Sequence, residues 1–494
     1  MSCKISAATR CYNHLAMDIV EKISAYIDDQ NLLDPQESVL LAVSGGSDSL
    51  CLLDCMQKLG FSVNIAHLDH QLRQESGEEA AFVTDIAELY SIRCIQGQED
   101  VQVVIEEGYS VEEAARLVRY RFLVDVANQL NIKFIATGHT SDDQIETILM
   151  HFLRGAGPSG LAGMRPMTSL DGWRDIPNAS GLKLVRPLLN ITRAETVAHC
   201  REIGLQPVID SSNMDQTLHR NRIRHHLLPL LETYNPGIRG HVLRMGEIMS
   251  SERDYLGDVV QTFWEKIVSL AGESALLFNR NEFNQLHRAV QRSLLRSAVE
   301  HIASELRDTP FESIEGAIDF ILSDSISQTL TMKGKIELVR VEDDVLMMKS
   351  DSEVILPQFP QLLEKDAVPL PVPGKLTLAN DWELNTSIVP VPNSFDQPVD
   401  SRERILLDLE RLGTMPKVRP KMPGDRIRPL GFNGHQKLSD MFINEHIPAF
   451  VRARWPLVVS GDEIVWVSGV RLAHKFRVRE DTRGAIEIRL VSPE

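Results

Sequence analysis

The apolar run Val39-Leu40-Leu41-Ala42-Val43 opens directly onto Ser44-Gly45-Gly46-Ser47-Asp48-Ser49, and the chain then continues into a helix-like segment over 50–59. A buried strand that ends in two glycines and small hydroxyl residues ahead of a helix leaves backbone N–H groups at the helix N-terminus, where a phosphate can sit. An α/β layer with a parallel sheet is the architecture that uses such a junction. The residues after Gly46 restrict the ligand further. A Walker A loop needs a lysine there to reach the β and γ phosphates, whereas this chain has Ser47, Asp48 and Ser49. Transfer of a γ-phosphate is therefore disfavoured. The hydroxyls and the freed amides suit a pyrophosphate anion, and Asp48 can hold Mg²⁺ or brace the loop.

Residues 36 to about 212 alternate strand-like and helix-like segments, as a doubly wound parallel sheet requires. Strands are predicted over 39–43, 63–67, 93–96 and 134–137, with amphipathic helices over 77–90, 111–130 and 142–154. Ligands of such sheets bind beyond the carboxyl ends of the strands. Polar residues gather at those ends: 44–49 after the first strand, 67–70 after the second and 138–143 after the fourth. Helices are predicted over 245–267 and 283–306 and strands over 329–341 and 344–349, followed by a Pro-rich stretch over 357–398 and short β-like runs at 457–459 and 464–467. The fold expected is a doubly wound, Rossmann-like N-terminal domain over 1–235 with an extension over 1–35. A mainly helical middle domain over 236–355, a linker over 356–399 and a small α+β C-terminal domain over 400–494 follow. A further amphipathic helix is expected over 15–27. The literal GxGxxG of Gly155-Ala156-Gly157-Pro158-Ser159-Gly160 follows a helix rather than a strand, so it reads as a glycine-rich loop.

The stretch Gly138-His139-Thr140-Ser141-Asp142-Asp143-Gln144-Ile145-Glu146 leaves the fourth strand and enters a helix on which Asp142 and Glu146 share a face. Carboxylates at the mouth of a nucleotide pocket can coordinate Mg²⁺, grip a cationic substrate or accept a proton from an attacking amine. Asp143 has a second reading, because Thr140 and Asp143 form a capping box. His139 is either a contact to phosphate or base or a satisfied loop histidine. His67 and Asp69 follow the second strand and suit contact with nucleotide or substrate better than metal, since His67 and His70 have no third ligand nearby in sequence. Ser110 and Glu113 form another capping box, and Arg116 and Arg119 beyond them face one edge, for phosphate or for solvent.

The formal net charge of −17 excludes indiscriminate attraction to nucleic acid. Any RNA contact must use local patches, and two qualify: Arg220, Arg222 and Arg224 in one, and Lys417, Arg419, Lys421, Arg426 and Arg428 in the other. Each is either a binding patch or a solvated face. The six cysteines contain no CxxC pair and read as reduced core thiols. No segment is long and apolar enough for a membrane helix, and no basic region followed by an apolar run and a cleavage site opens the chain, so a cytoplasmic enzyme is expected.

SGGSDS resembles the PP-loop of N-type ATP pyrophosphatases. The ordered set SGGSDS, HLDHQLRQES, EEAARLVRYRF, ATGHTSDDQIETILMHFLRGAGPSGLAGM, LVRPLLNITRAE, DSSNMDQTLHRNRIRHHLLPLL and NPGIR is similar to the bacterial tRNA(Ile)-lysidine synthetase family, and so is RPKMPGDRIRPLGFNGHQKLSDMFINEHIP near the C-terminus. The resemblance implies adenylation, by ATP with Mg²⁺, of the O2 oxygen of the wobble cytidine of a tRNA(Ile) with a CAU anticodon. Attack of the amine of free L-lysine on C2 would follow, releasing AMP. It makes Asp48, Asp69, Arg119, His139, Asp142, Asp143, Glu146 and Arg154 site residues and the two basic patches tRNA contacts. It implies no obligate protein partner and leaves a homodimer open. The enzymatic rival is a tRNA thiolase of the same superfamily, which needs the CxxC pair or cluster that this chain lacks. A non-catalytic tRNA-binding protein on the same fold is the other.

Overall fold

The computed structural model describes residues 18–69, 76–106, 108–171, 173, 175–208, 219–303, 309–323, 329–350, 352–391, 402–413, 415–431 and 434–493. The chain divides into two compact units, Met1–Asp258 and Val259–Glu494.

In the first unit α1 (Ile19–Asp29) precedes β1 (Ser38–Ala42), α2 (Ser47–Lys58), β2 (Ser62–Asp69), α3 (Ser76–Leu89), β3 (Cys94–Gln98), α4 (Gln102–Glu106) and α5 (Val111–Leu130). Next come β4 (Phe134–Thr137), α6 (Ser141–Leu153), α7 (Pro158–Leu161), β5 (Met167–Ser169), β6 (Lys183–Val185) and α8 (Arg193–Glu202). The unit closes with α9 (His219–Arg222), a π-helical turn (Ile223–Leu227) and α10 (Leu228–Tyr234), and α11 runs over Ile238–Ile267. The sheet order is β3-β2-β1-β4-β6-β5, parallel except for β5. Strand order therefore reverses between β1 and β4, and a crevice opens beyond their carboxyl ends at such a reversal.

Continuous apolar sequence builds this sheet because both of its faces are covered. Val39 and Leu41 of β1 join Leu50, Leu53 and Ile65 in one cluster, while Leu40 joins Leu123, Val124 and Ile135 on the other side. The helix expected over 15–27 is observed as α1, whose buried Ile23 and Ile27 join the first cluster. Lys22 of α1 also pairs with Glu195 of α8 at 2.7 Å. Residues 1–17 and His70 lie outside the described residues.

In the second unit an antiparallel sheet takes the strands Val268–Gly272, Ala275–Phe278, Asp344–Lys349, Ile336–Val341 and Thr329–Met332 in that spatial order. The single strand expected over 329–341 is a hairpin. Gly334 (φ +84°) and Lys335 (φ +57°) occupy the left-handed region that a tight reversal needs. A later five-stranded sheet contains Lys417–Arg419, Leu457–Ser460 and Glu463–Val467, and a four-stranded one contains Glu383–Val389, Ala485–Val491 and Arg404–Asp408. Phe442, Trp455, Trp466 and Ile486 share their core. Among the described residues no helix is long and apolar enough to cross a membrane.

Candidate active site

The turn between β1 and α2 is held by its own side chains. Gly45 has φ +84°, the left-handed conformation that glycine adopts without a Cβ penalty. Ser49 is buried, its hydroxyl donating to the Gly46 carbonyl at 3.0 Å and accepting from the Ser44 amide at 3.2 Å. Gly46 caps α2 without a side-chain hydrogen bond, so no cap side chain takes up the first-turn amides.

Beside this turn the exit of β4 comes very close. A Cβ on Gly138 would lie 2.9 Å from the Asp48 carbonyl carbon and 3.0 Å from the Ser49 amide nitrogen. The carboxylates of α6 follow at once. Thr140 and Asp143 form the expected capping box, with Asp143 Oδ2 accepting from the Thr140 amide and hydroxyl at 2.9 Å each. Its other oxygen, Oδ1, accepts from Arg193 Nη2 at 3.2 Å and faces Arg220 and Arg224 at 3.6 and 3.7 Å. Asp143 is thus cap and site residue together. Glu146, 1% exposed, accepts from Arg220 Nε at 2.9 Å and from Arg224 Nε at 2.6 Å. Asp142 accepts from the Arg193 amide at 2.8 Å and from Arg239 Nη1 at 2.6 Å. Asp48 accepts from the Thr196 hydroxyl at 2.5 Å and from Arg193 Nε at 3.2 Å.

Arg193 therefore links the turn after β1 to the helix after β4. Neither it nor Thr196 nor Arg239 was marked as a site residue by the sequence. The signal available was the capping box of Thr192 and Glu195, which places Arg193 at the first position of α8, where a cation opposes the helix dipole unless carboxylates surround it. Arg220 and Arg224, expected on a nucleic-acid patch, turn inward onto Glu146, while Arg222 between them is exposed.

Burial pushes the Asp48 carboxyl above its ordinary range despite the opposing pull of Arg193 and Thr196. Asp143 is held below it: burial acts upward, but Arg220, Arg193 and His139 outweigh it. His139 accepts or donates at 2.7 Å to the Thr137 hydroxyl, and burial pulls its imidazole down to about 3, with Arg186, Arg220 and Arg119 adding to the effect against Asp143. A neutral ring is the result at neutral pH. The unfolded imidazole takes a proton below 6.5 and the folded one resists it, so folded-state stability falls as pH drops from 6.5 towards 3. Asp143 adds a loss of the same sign as pH falls through and below 3.8. The melting temperature of the His139→Gln variant should consequently fall less than that of the wild type between pH 6.5 and 4. Equal slopes in the two thermal-melt series would refute this.

Of the remaining candidates, His67 lies within β2 rather than beyond it, buried with Nδ1 donating to the Val43 carbonyl at 2.8 Å, and Asp69 ends that strand. Arg116 stacks over Tyr120 at 5.4 Å, and Arg116 and Arg119 are exposed on α5. Arg154 caps the far end of α6, about 18 Å from Asp142 at 1.5 Å per residue. In the second unit Arg419 makes two hydrogen bonds with Asp425, at 2.9 and 2.8 Å, and so braces its own turn. Lys417, Arg426 and Arg428 are exposed and Lys421 half-buried.

Behind α2, Cys51, Cys55 and His199 lie within 4.8 Å of one another, all buried. His199 Nε2 is committed to Asp54 Oδ2 at 2.6 Å, and Asp54 also accepts from Tyr90 and pairs with Lys58. Contact with Cys55 and burial both push the Cys51 thiol up, and burial lifts Cys200 to about 11. The Cys51 and Cys200 thiols stay protonated, which is the state of core residues rather than of sulfur-transfer nucleophiles.

A parallel sheet with an SGGSDS turn at its strand-order reversal, faced by carboxylates and arginines, defines a PP-loop enzyme that uses ATP. Residues 15–231 match the PP-loop domain family and residues 417–490 the TilS substrate C-terminal domain family. The tRNA(Ile)-lysidine synthase of Dehalococcoides mccartyi is 35% identical over 95% of this chain and 98% of its own. That of Geobacter sulfurreducens is 30% identical over 96% and 97%. A crystal structure of a TILS C-terminal domain is 25% identical, covering 26% of this chain and 98% of that one with a TM-score of 0.24. The chain belongs to the tRNA(Ile)-lysidine synthase family, a family of ligases.

Proposed function

We propose that this chain joins free L-lysine to C2 of the wobble cytidine of a tRNA(Ile) with a CAU anticodon, converting ATP to AMP and pyrophosphate. The observation that carries the reading is the meeting of Asp48, Asp142, Asp143 and Glu146 with Arg193, Arg220 and Arg224 beside the PP-loop. Cytidine O2 attacks the α-phosphorus and pyrophosphate leaves; the lysine amine then attacks C2, AMP departs, and the amine proton passes to a base. The amides and hydroxyls of residues 44–49 receive the pyrophosphate. Asp48 fits Mg²⁺ by its carboxylate oxygens, the donor type that Mg²⁺ prefers, which here meet Arg193 and Thr196 at the turn. Bound there, the ion would offset charge on the leaving pyrophosphate.

Asp142, Asp143 and Glu146 hold the lysine ammonium. Asp143, kept below the usual carboxylate range, is a weak proton acceptor and so a cation holder rather than the base. His139, neutral, serves as a hydrogen-bonding group to nucleotide or base. Residues 1–235 act as the catalytic domain, and 236–355 and 400–494 bind tRNA; the stretch 356–399, expected to be a linker, instead joins the C-terminal sheets, Glu383–Val389 pairing with Ala485–Val491. Arg119 serves the nucleotide, while Arg116, Arg154 and Arg222 on the first unit and Lys417, Lys421, Arg426 and Arg428 on the second meet RNA phosphates, which position the substrate rather than read its sequence. Such chemistry belongs in the cytoplasm. Incubation with a tRNA(Ile) transcript, ATP and radiolabelled lysine should place label in the RNA. If modification appears only when a sulfur donor replaces lysine, the thiolase reading takes its place.

A further inference from the structure

The carboxylates assigned above to the lysine ammonium already have cations. Both oxygens of Glu146 are engaged, Oε1 by Arg224 Nε at 2.6 Å and Oε2 by Arg220 Nε at 2.9 Å and Arg224 Nη2 at 3.0 Å. Asp143 has one oxygen on its cap and the other on Arg193, with Arg220 and Arg224 within 3.7 Å. Asp142 is taken by the Arg193 amide and Arg239. Four guanidinium groups, Arg193, Arg220, Arg224 and Arg239, thus stand against four carboxylates, Asp48, Asp142, Asp143 and Glu146, with Glu232 sharing Arg239 at the rim. An added ammonium would enter a site whose four inner carboxylates, Asp48, Asp142, Asp143 and Glu146, are matched by four guanidinium groups and already carry hydrogen-bond donors on their oxygens.

We propose that Arg220 and Arg224 are an internal plug: they occupy the cation seat of the lysine pocket until phosphate oxygens draw them away, so that lysine binds only after a phosphate-bearing ligand. This rests on the function proposed above. Exposure decides which partner moves. The Glu146 side chain is 2% exposed, whereas those of Arg220 and Arg224 are 28% and 20% exposed, so the arginines have a path outward and the carboxylate has none. Guanidinium also pairs with phosphate in the same forked geometry that it uses on a carboxylate, so the exchange costs few hydrogen bonds. Loss of two positive charges from Glu146 and Asp143 then leaves a net anionic seat, which an ε-ammonium neutralises. The coupling is reciprocal: lysine tightens the phosphate ligand by the factor by which that ligand tightens lysine.

The phosphate comes from ATP or from the tRNA backbone, and the experiment separates the two. Equilibrium dialysis of radiolabelled lysine against the full-length protein is run alone, with an α,β-non-hydrolysable ATP analogue, with the tRNA transcript and with both. At least a tenfold gain in lysine affinity is expected in an arm containing the responsible phosphate. The double variant Arg220→Gln, Arg224→Gln is expected to bind lysine without either ligand. Because it strands two buried carboxylates and can fail to fold, the wild-type arms decide on their own. Equal lysine affinity in all four arms, with label still transferred to tRNA, overturns the plug and leaves the proposed function standing. No lysine bound in any arm and no label transferred overturns both.

Discussion

Asp48→Ala should reduce tRNA-dependent release of pyrophosphate from ATP by about a hundred- to a thousand-fold, the loss typical when one preorganised electrostatic contact to a developing charge is removed. It should leave tRNA affinity within about twofold, because the substitution deletes no cation that a phosphate could use. The stability cost is separate and modest. Thr196 loses the acceptor at 2.5 Å and Arg193 one of its two carboxylates, and Arg193 keeps Asp143 at 3.2 Å. The Thr196 hydroxyl keeps the Arg193 carbonyl at 2.9 Å, so no donor is orphaned, and the lost hydrogen bond costs roughly 0.5–1.5 kcal/mol, a fall of a few degrees in melting temperature for a unit of this size. Asp48→Asn divides the two roles, since the amide oxygen still accepts from Thr196 while the charge is gone. If Asn restores pyrophosphate release to near wild type, Asp48 braces the turn; if Asn is as inactive as Ala, its charge acts on the phosphates or on Mg²⁺. Parallel loss of pyrophosphate release and tRNA binding in both variants would remove Asp48 from the chemistry altogether.

The half of the site that was legible in the sequence is the half that is contiguous in it. Strand, turn and helix at 39–58 follow from an apolar run meeting two glycines, and the placement of Asp142, Asp143 and Glu146 follows from helical spacing after a strand. The helix predicted over 111–130 is observed as Val111–Leu130, because Ser110 and Glu113 close a capping box at one end and Asn131, left-handed at φ 54°, stops the other. The arginines were harder. Arg193, Arg220, Arg224 and Arg239 lie about 50 to 145 positions from Asp48, Asp142, Asp143 and Glu146, and local spacing carries no information about such pairs. A cluster of Arg and His on an acidic chain reads as a surface patch, yet two of its arginines point inward because a nearly fully buried Glu146 demands paired charge. Arg419 follows the same logic, since the Asp425 that claims it has its own carboxylate largely enclosed by the turn, 11% exposed. Short strands such as Val268–Gly272 escaped notice because Ser, Ala and Gly blur the β pattern there and neighbouring strands supply the order.

Gly138→Ala should be nearly as damaging to activity as loss of Asp48, through position rather than charge. The added Cβ would meet the Asp48 carbonyl carbon at 2.9 Å and its oxygen and the Ser49 amide nitrogen at 3.0 Å each. These are backbone atoms of the first turn of α2, so no side chain can swing aside and the helix start must move by some tenths of an ångström. Overpacking of this kind costs about 1–3 kcal/mol. A displacement approaching 1 Å between catalytic groups costs on the order of a hundredfold in rate, and this one would shift the pyrophosphate nest against the carboxylates of α6. Gly60→Ala supplies the contrast. Gly60 lies just past the end of α2 at φ +81° with nothing within 4 Å of an added methyl, so an alanine there meets conformational strain and no neighbour. That strain is worth roughly 1–2 kcal/mol, so the two variants should melt at similar temperatures. Only Gly138→Ala should lose pyrophosphate release and lysine incorporation. If both variants lose activity in proportion to their melting temperatures, stability alone accounts for the effect, and the close approach of β4 to the turn has no part in positioning the site.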